Sequence, residues 1–164
     1  MLEKRLEDYR KGAVGSLLDE YEKALFELKS VLQTVGAEDY ARVVAGEDDH
    51  CRSIQIIMNH VVRAGYGYSK YIRDALSINA LPVEDKQIPQ AEINGEIDQM
   101  FAYTAAIFEG ERSITDEEME TIFFKTRWGV DYNIDQLFEH AIVHVLRHRR
   151  QIKKFLLKFQ SSEL

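Results

Sequence analysis

The residues best placed to do chemistry lie near the C-terminus, in the run His140-Ala-Ile-Val-His144-Val-Leu-Arg-His148-Arg-Arg-Gln151. A four-residue spacing stacks the three imidazoles on one face of a helix. Ile134, Leu137, Ala141, Val145, Ile152, Phe155 and Phe159 recur at three- and four-residue steps around the same stripe, so this face points inward. A polar group buried without a partner costs about 1–3 kcal/mol. Clustered inward histidines therefore require hydrogen bonds, a pocket or a metal. His60 falls on the inward side of an earlier helical segment. If the two helices are neighbours, His144, His148 and His60 can bind one face of a cation at roughly 2.0–2.2 Å and leave positions open. Structural zinc sites are usually closed by four protein ligands, often cysteines. This chain has the single Cys51.

Competing constellations are weaker. Histidines four apart on a helix often only hydrogen-bond, and a lone inward His60 is ordinarily a satisfied core residue. A di-iron bundle needs carboxylates on several helices and two Glu-x-x-His motifs. The sole such spacing is Glu47-Asp-Asp-His50 at a helix start. His50 and Cys51 are adjacent, so on a helix they point about 100° apart and make a poor nucleophile and base. Cys51 reads as a packing residue. The basic run from Arg147 to Lys154 reads as a solvated face that complements the helix dipole.

The elements that must position the histidines follow from periodicity. The 164 residues suffice for one domain with a sizeable core, here read as 1–164. A net charge of −7 argues against a general nucleic-acid binder. No apolar run is long enough for a membrane span. Met-Leu-Glu-Lys-Arg-Leu-Glu-Asp lacks the apolar stretch of a secretory signal, and the lone cysteine cannot form an internal disulfide, so a reducing cytoplasm is expected.

No segment sustains a strand-like alternation, which predicts an all-α chain. A first helix is expected over about residues 3–36, with Leu17, Leu18, Tyr21, Leu25, Leu28, Val31, Leu32 and Val35 inward. Gly12 and Gly15 are its weak points and Gly36 its stop. A second is expected over about 49–77, with Ser53, Ile56, Ile57, His60, Ala64, Gly67, Tyr68 and Tyr71 along the inner side. Gly65 and Gly67 each weaken a helix by about 1 kcal/mol relative to alanine, which points to close packing or pocket space just past His60. Tyr68 and Tyr71 then either line a cavity or pack as core with their hydroxyls at the rim.

Residues 78–89 hold both prolines and read as a long connection of the kind that often shapes sites. A third helix is expected over about 90–110, burying Ile93, Ile97, Met100, Phe101, Thr104 and Phe108 and ending near Gly110. Thr115 and Glu118 have capping-box spacing for a short helix, and Trp128-Gly129 marks a turn. Asn133 with Gln136 starts the histidine helix near residue 134. Four long amphipathic helices imply a four-helix bundle, with a short extra helix before the last long one.

Read against His60 and this bundle pattern, the segment His144-Val-Leu-Arg-His148-Arg-Arg-Gln151-Ile152 resembles the last helix of the DinB/YfiT-like superfamily, with Arg150 where glycine is usual. The stretch from Ser53 to His60 is similar to that family's second-helix segment, Trp128-Gly129 is in character, and the likeness spans nearly the whole domain. It implies a four-helix bundle with a divalent metal, zinc, nickel or iron, on His60, His144 and His148. His140 is left outside that triad, either supporting a ligand through a hydrogen bond, touching substrate or serving as an alternative ligand, with the first favoured and a plain core or solvent contact as the main alternative; Gln151 is similarly open. A cation on three neutral imidazoles can activate a water or a thiol. Characterised relatives include transferases that use low-molecular-weight thiols, so a small-molecule or thiol substrate is implied. Two function classes are carried forward. One is a metal-dependent thiol transferase or hydrolase with an open position facing a cavity. The other is a non-catalytic metal-binding or stress-associated bundle, as a monomer or a homodimer, with a closed site or an exposed apolar helix face.

Overall fold

The computed structural model describes residues 5–109 and 114–161. Within them the chain is mostly helical, in the order α1 (Gly12–Leu32), α2 (Ala37–Ala41), α3 (Ile54–Ala75), α4 (Ile93–Ala105), α5 (Asp116–Thr121), β1 (Phe123–Lys125), β2 (Asp131–Asn133) and α6 (Ile134–Ser161). α1 packs on α6, α6 on α3, α3 on α4 and α4 back on α1, so four long helices enclose one core. α5 and the two strands sit against α6 and α3.

The caps fall where the side chains predict. The Ser53 hydroxyl accepts from the Ile56 N–H, Thr115 and Glu118 form a reciprocal box, and Asn133 and Gln136 each accept the other's backbone N–H at 2.8 and 3.2 Å. These bonds satisfy amides that a helix start leaves without an internal partner. Two residues past the end of α3, Ser77 has a φ of 56°, in the left-handed region. There the Ile78 N–H reaches the Arg73 carbonyl and the Ser77 N–H that of Asp74, which is the Schellman pattern.

The bounds of three expected helices shift. α1 starts at Gly12 rather than near residue 3, because Gly12 at φ 77° interrupts helical backbone and the incoming segment folds back across the helix. Arg10 is tied there to Asp19 and Glu22, and a Cβ on Gly15 would lie 2.6 Å from the Arg10 backbone. The helix stops at Leu32, and Gly36 instead precedes α2. α3 begins at Ile54 because residues 44–52 are folded into turns, where the Asp48 side chain accepts the His50 N–H and the Arg52 carbonyl accepts from Val44. α4 covers only Ile93–Ala105, and the expected stop at Gly110 lies outside the described residues.

The chain is mostly helical, as an all-α class requires, and the stretch around the expected Trp128-Gly129 turn adds a small antiparallel hairpin that was not expected, pairing Phe123 with Asn133, Phe124 with Tyr132 and Lys125 with Asp131. Thr126 and Val130 close its tip and Gly129, at φ 85°, makes the bend.

The stripes expected on α1, α4 and α6 are largely core. Leu18, Tyr21, Leu25, Leu28, Leu32, Ile93, Ile97, Met100, Thr104 and all seven apolar α6 positions are buried, while Leu17, Val31, Phe101 and Phe108 are partly so. On α3 the buried face is turned away from the expected one. Ile54, Ile57, Met58, Val61, Val62, Gly65, Ser69 and Ile72 fill the interior. His60, Ala64, Gly67, Tyr68 and Tyr71 run beside it, half-buried.

Candidate metal centre and cleft

Packing of α3 on α6 brings His60 to His144 and His148. The His60 and His144 Nε2 atoms are 2.9 Å apart, those of His144 and His148 3.2 Å, and one ring nitrogen from each residue lies within 4.8 Å of the others. His148 points its Nδ1–H at Gln151 Oε1, 3.1 Å away, which leaves Nε2 as the lone-pair nitrogen. A neutral imidazole carries a lone pair on whichever ring nitrogen lacks the proton, so the three convergent nitrogens form a donor set that could hold a metal ion.

The electrostatics agree. Burial, then the charges of His148 and His60, push His144 down to about 3, and burial followed by His148 and Arg63 brings His60 down to about 4. His148 is lowered by burial, against the Gln151 hydrogen bond that raises it. All three are neutral near pH 7, the form in which imidazole binds metal.

A cleft of about 570 Å3 opens beside His60. α3 supplies one wall through Arg63, Ala64, Gly67, Tyr68, Tyr71 and Asp74, so the expected inner stripe of this helix is the wall of a cavity. A Cβ on Gly67 would meet nothing within 4 Å, whereas one on Gly65 would meet Met100 Sδ at 2.3 Å. Pocket space and close packing therefore both occur just past His60, on opposite sides of the helix. The 78–89 connection shapes the rim with Val83 and with Asp85, which is paired to Arg63 at 2.8 Å.

The hairpin supplies the facing wall. Its tip lays Trp128 on His140, with ring planes 23° apart and centroids 5.9 Å apart, and sets the indole edge-on to Tyr71 and Tyr68. Tyr71 accepts the Arg127 N–H at 2.8 Å and stacks on Phe124, which pins the hairpin to α3. Tyr68 packs edge-on against His140 and His144 and is held protonated, its hydroxyl pushed up to about 12 chiefly by burial.

Each sequence-derived candidate has a place. His60, His144 and His148 come together, Gln151 contacts His148, and Tyr68, Tyr71 and His140 line the cleft. His140 Nδ1 pairs with the Tyr132 hydroxyl at 3.3 Å rather than with a clustered histidine. Cys51 is half-buried, with its thiol raised by burial and lowered by Gln151, while His50 is exposed and Glu47 is bonded to Lys158. Arg147 and Arg150 are exposed, as a solvated face requires, though Arg149 pairs with Glu27. Trp128 as a wall, and Arg63 and Arg127 as cleft residues, were not legible as site residues. The only available signal was the Trp128-Gly129 turn. No helix of the described residues is long and apolar enough to cross a membrane. No family model, curated protein or solved structure matches the chain.

Proposed function

We propose that His60, His144 and His148 hold one divalent cation and that the protein is a metal-dependent enzyme of the DinB/YfiT-like class acting on a small molecule in the adjoining cleft. The observation that carries this reading is the convergence of three neutral ring nitrogens on one point at the edge of a 570 Å3 cavity. Its volume falls in the range of small-molecule sites. A divalent cation bound there supplies the positive charge that lowers the pKa of a water or of a low-molecular-weight thiol, for hydrolysis of or transfer to an electrophilic substrate.

The chain's own groups have definite parts. Gln151 fixes the ring of His148 through Nδ1, as partners of metal-bound histidines do. Tyr68 keeps its proton and can donate it in a hydrogen bond to a group seated in the cleft. Trp128 and Tyr71 form the aromatic side of the cleft. Zinc, nickel and iron all suit imidazole ligands.

The test is elemental analysis of protein purified without a histidine tag, wild type beside a His60→Ala, His148→Ala double variant. About one divalent metal per wild-type chain and none in the variant is the expected result. No metal in either, after reconstitution with zinc, nickel and iron, overturns the proposal in favour of a structural or interaction role.

A further inference from the structure

The cleft carries a charge pattern that the histidine cluster does not explain. Its lining holds three cations, Arg63, Lys70 and Arg127, and two carboxylates, Asp74 and Asp85. Two of the cations are already paired, Arg63 with Asp85 at 2.8 Å and Lys70 with Asp74 at 2.7 Å. Arg127 has no carboxylate partner among the described residues. Its backbone is anchored through the Tyr71 hydroxyl, so the guanidinium is presented from a fixed hairpin tip beside Trp128. The cleft is thus locally positive in a chain whose net charge is −7.

The aromatic side is equally specific. Trp128, 42% exposed at the hairpin tip, lines the cavity with Tyr71 and Tyr68. Together the three rings form a continuous aromatic wall beside the cavity, and contiguous apolar surface of that kind marks ligand-binding grooves. The planar fork of a guanidinium fits a carboxylate or a phosphate, but the single positive charge of Arg127 balances one carboxylate and only half the charge of a phosphate dianion.

From these observations we infer that the cleft takes a small molecule with one carboxylate on a planar apolar body, the carboxylate held by Arg127 and the body against Trp128, Tyr71 and Tyr68. This rests on the cleft being the substrate side of the histidine site. It names the substrate's chemical class: an aryl or conjugated monocarboxylate.

Trp128 is the chain's single tryptophan and therefore reports binding by its own fluorescence. Benzoate and its uncharged isostere benzamide are titrated into chelator-treated and into zinc-loaded protein, with acetate as the carboxylate that lacks a planar body. In the metal-free protein benzoate should bind at least about tenfold more tightly than benzamide, as expected of a charge-assisted bond, and acetate should be weak. Arg127→Gln should bring the benzoate-to-benzamide ratio to about one. Arg147→Gln removes the same charge from an exposed α6 position outside the cleft lining and should leave the ratio unchanged. Circular dichroism of each variant checks the fold.

Equal affinity for the two compounds, binding of neither, or a preference that survives Arg127→Gln overturns the inference. A benzoate preference seen only with zinc and indifferent to Arg127 overturns it while supporting the metal site. An Arg127-dependent preference in a protein that takes up no metal supports the inference and removes the metal reading.

Discussion

Gly65 and Gly67 lie two residues apart on α3 and face opposite worlds. Gly65 is buried at the crossing with α4, where an added Cβ would strike Met100, whereas Gly67 looks onto the open cleft. The face around Gly65 holds Ile57, Met58, Val61 and Ile72, and the face around Gly67 holds His60, Ala64, Tyr68 and Tyr71. Both are rich in apolar and aromatic atoms. What separates them is what lies opposite: α4 side chains fill the first, and the Trp128 hairpin leaves space before the second. One helix therefore anchors the core with one side and builds the site with the other.

The strongest way to break this contrast is on the site side. His144→Ala removes the nitrogen that both other imidazoles approach. It should abolish most bound metal while the far-ultraviolet helical signal stays intact; a variant with wild-type metal content would remove His144 from the ligand set. Gln151→Ala should keep the metal but weaken its affinity about ten- to a hundredfold, as loss of an outer partner does, measured by competition with a chelator. His140→Ala, which leaves the three convergent nitrogens in place, should retain full metal content in the same assay.

Acid should expose the contrast without mutation. In the metal-free protein burial and mutual repulsion hold His144 near 3 and His60 near 4, below the ordinary 6.5. As pH falls through about 6.5 the unfolded chain takes up protons that the folded one refuses, so stability is full above that value and declines toward pH 4. Urea midpoints should therefore drop between pH 7 and pH 5, and His144→Gln should flatten the slope. A slope unchanged by that substitution would place the acid sensitivity elsewhere.

The smallest effects compare the glycines directly. Gly67→Ala adds a methyl into open space and recovers helix propensity, so it should stabilise by about 0.5–1 kcal/mol. Gly65→Ala gains the same propensity but must displace a fully buried Met100, and overpacking of about 1–3 kcal/mol should leave it net destabilised. Denaturant midpoints of opposite sign are expected; two shifts of the same sign would show that the faces do not differ in packing.

Local chemistry was the legible part. Thr115 with Glu118 and Asn133 with Gln136 announce their helix starts because a cap is decided within four residues, and the α6 stripe is legible because its period is uninterrupted from Ile134 to Phe159. The hairpin was missed because strands of three residues are too short to show alternation, and their pairing depends on the turn at Gly129 and on Tyr71. The orientation of α3 was misjudged because periodicity shows that a stripe is apolar but not whether a neighbour or a cavity faces it.

By itself, then, the sequence determined the helical character of the chain, the caps that place its helices and the one-turn spacing that stacks His144 over His148, all of them consequences of hydrogen bonds and angles within a few residues. Only the tertiary structure decided that His60 meets that pair, that Trp128 and Arg127 face the space beside it, and which side of α3 is core. Those contacts join residues far apart in the chain, and their geometry is set by how whole helices pack, which no local spacing encodes.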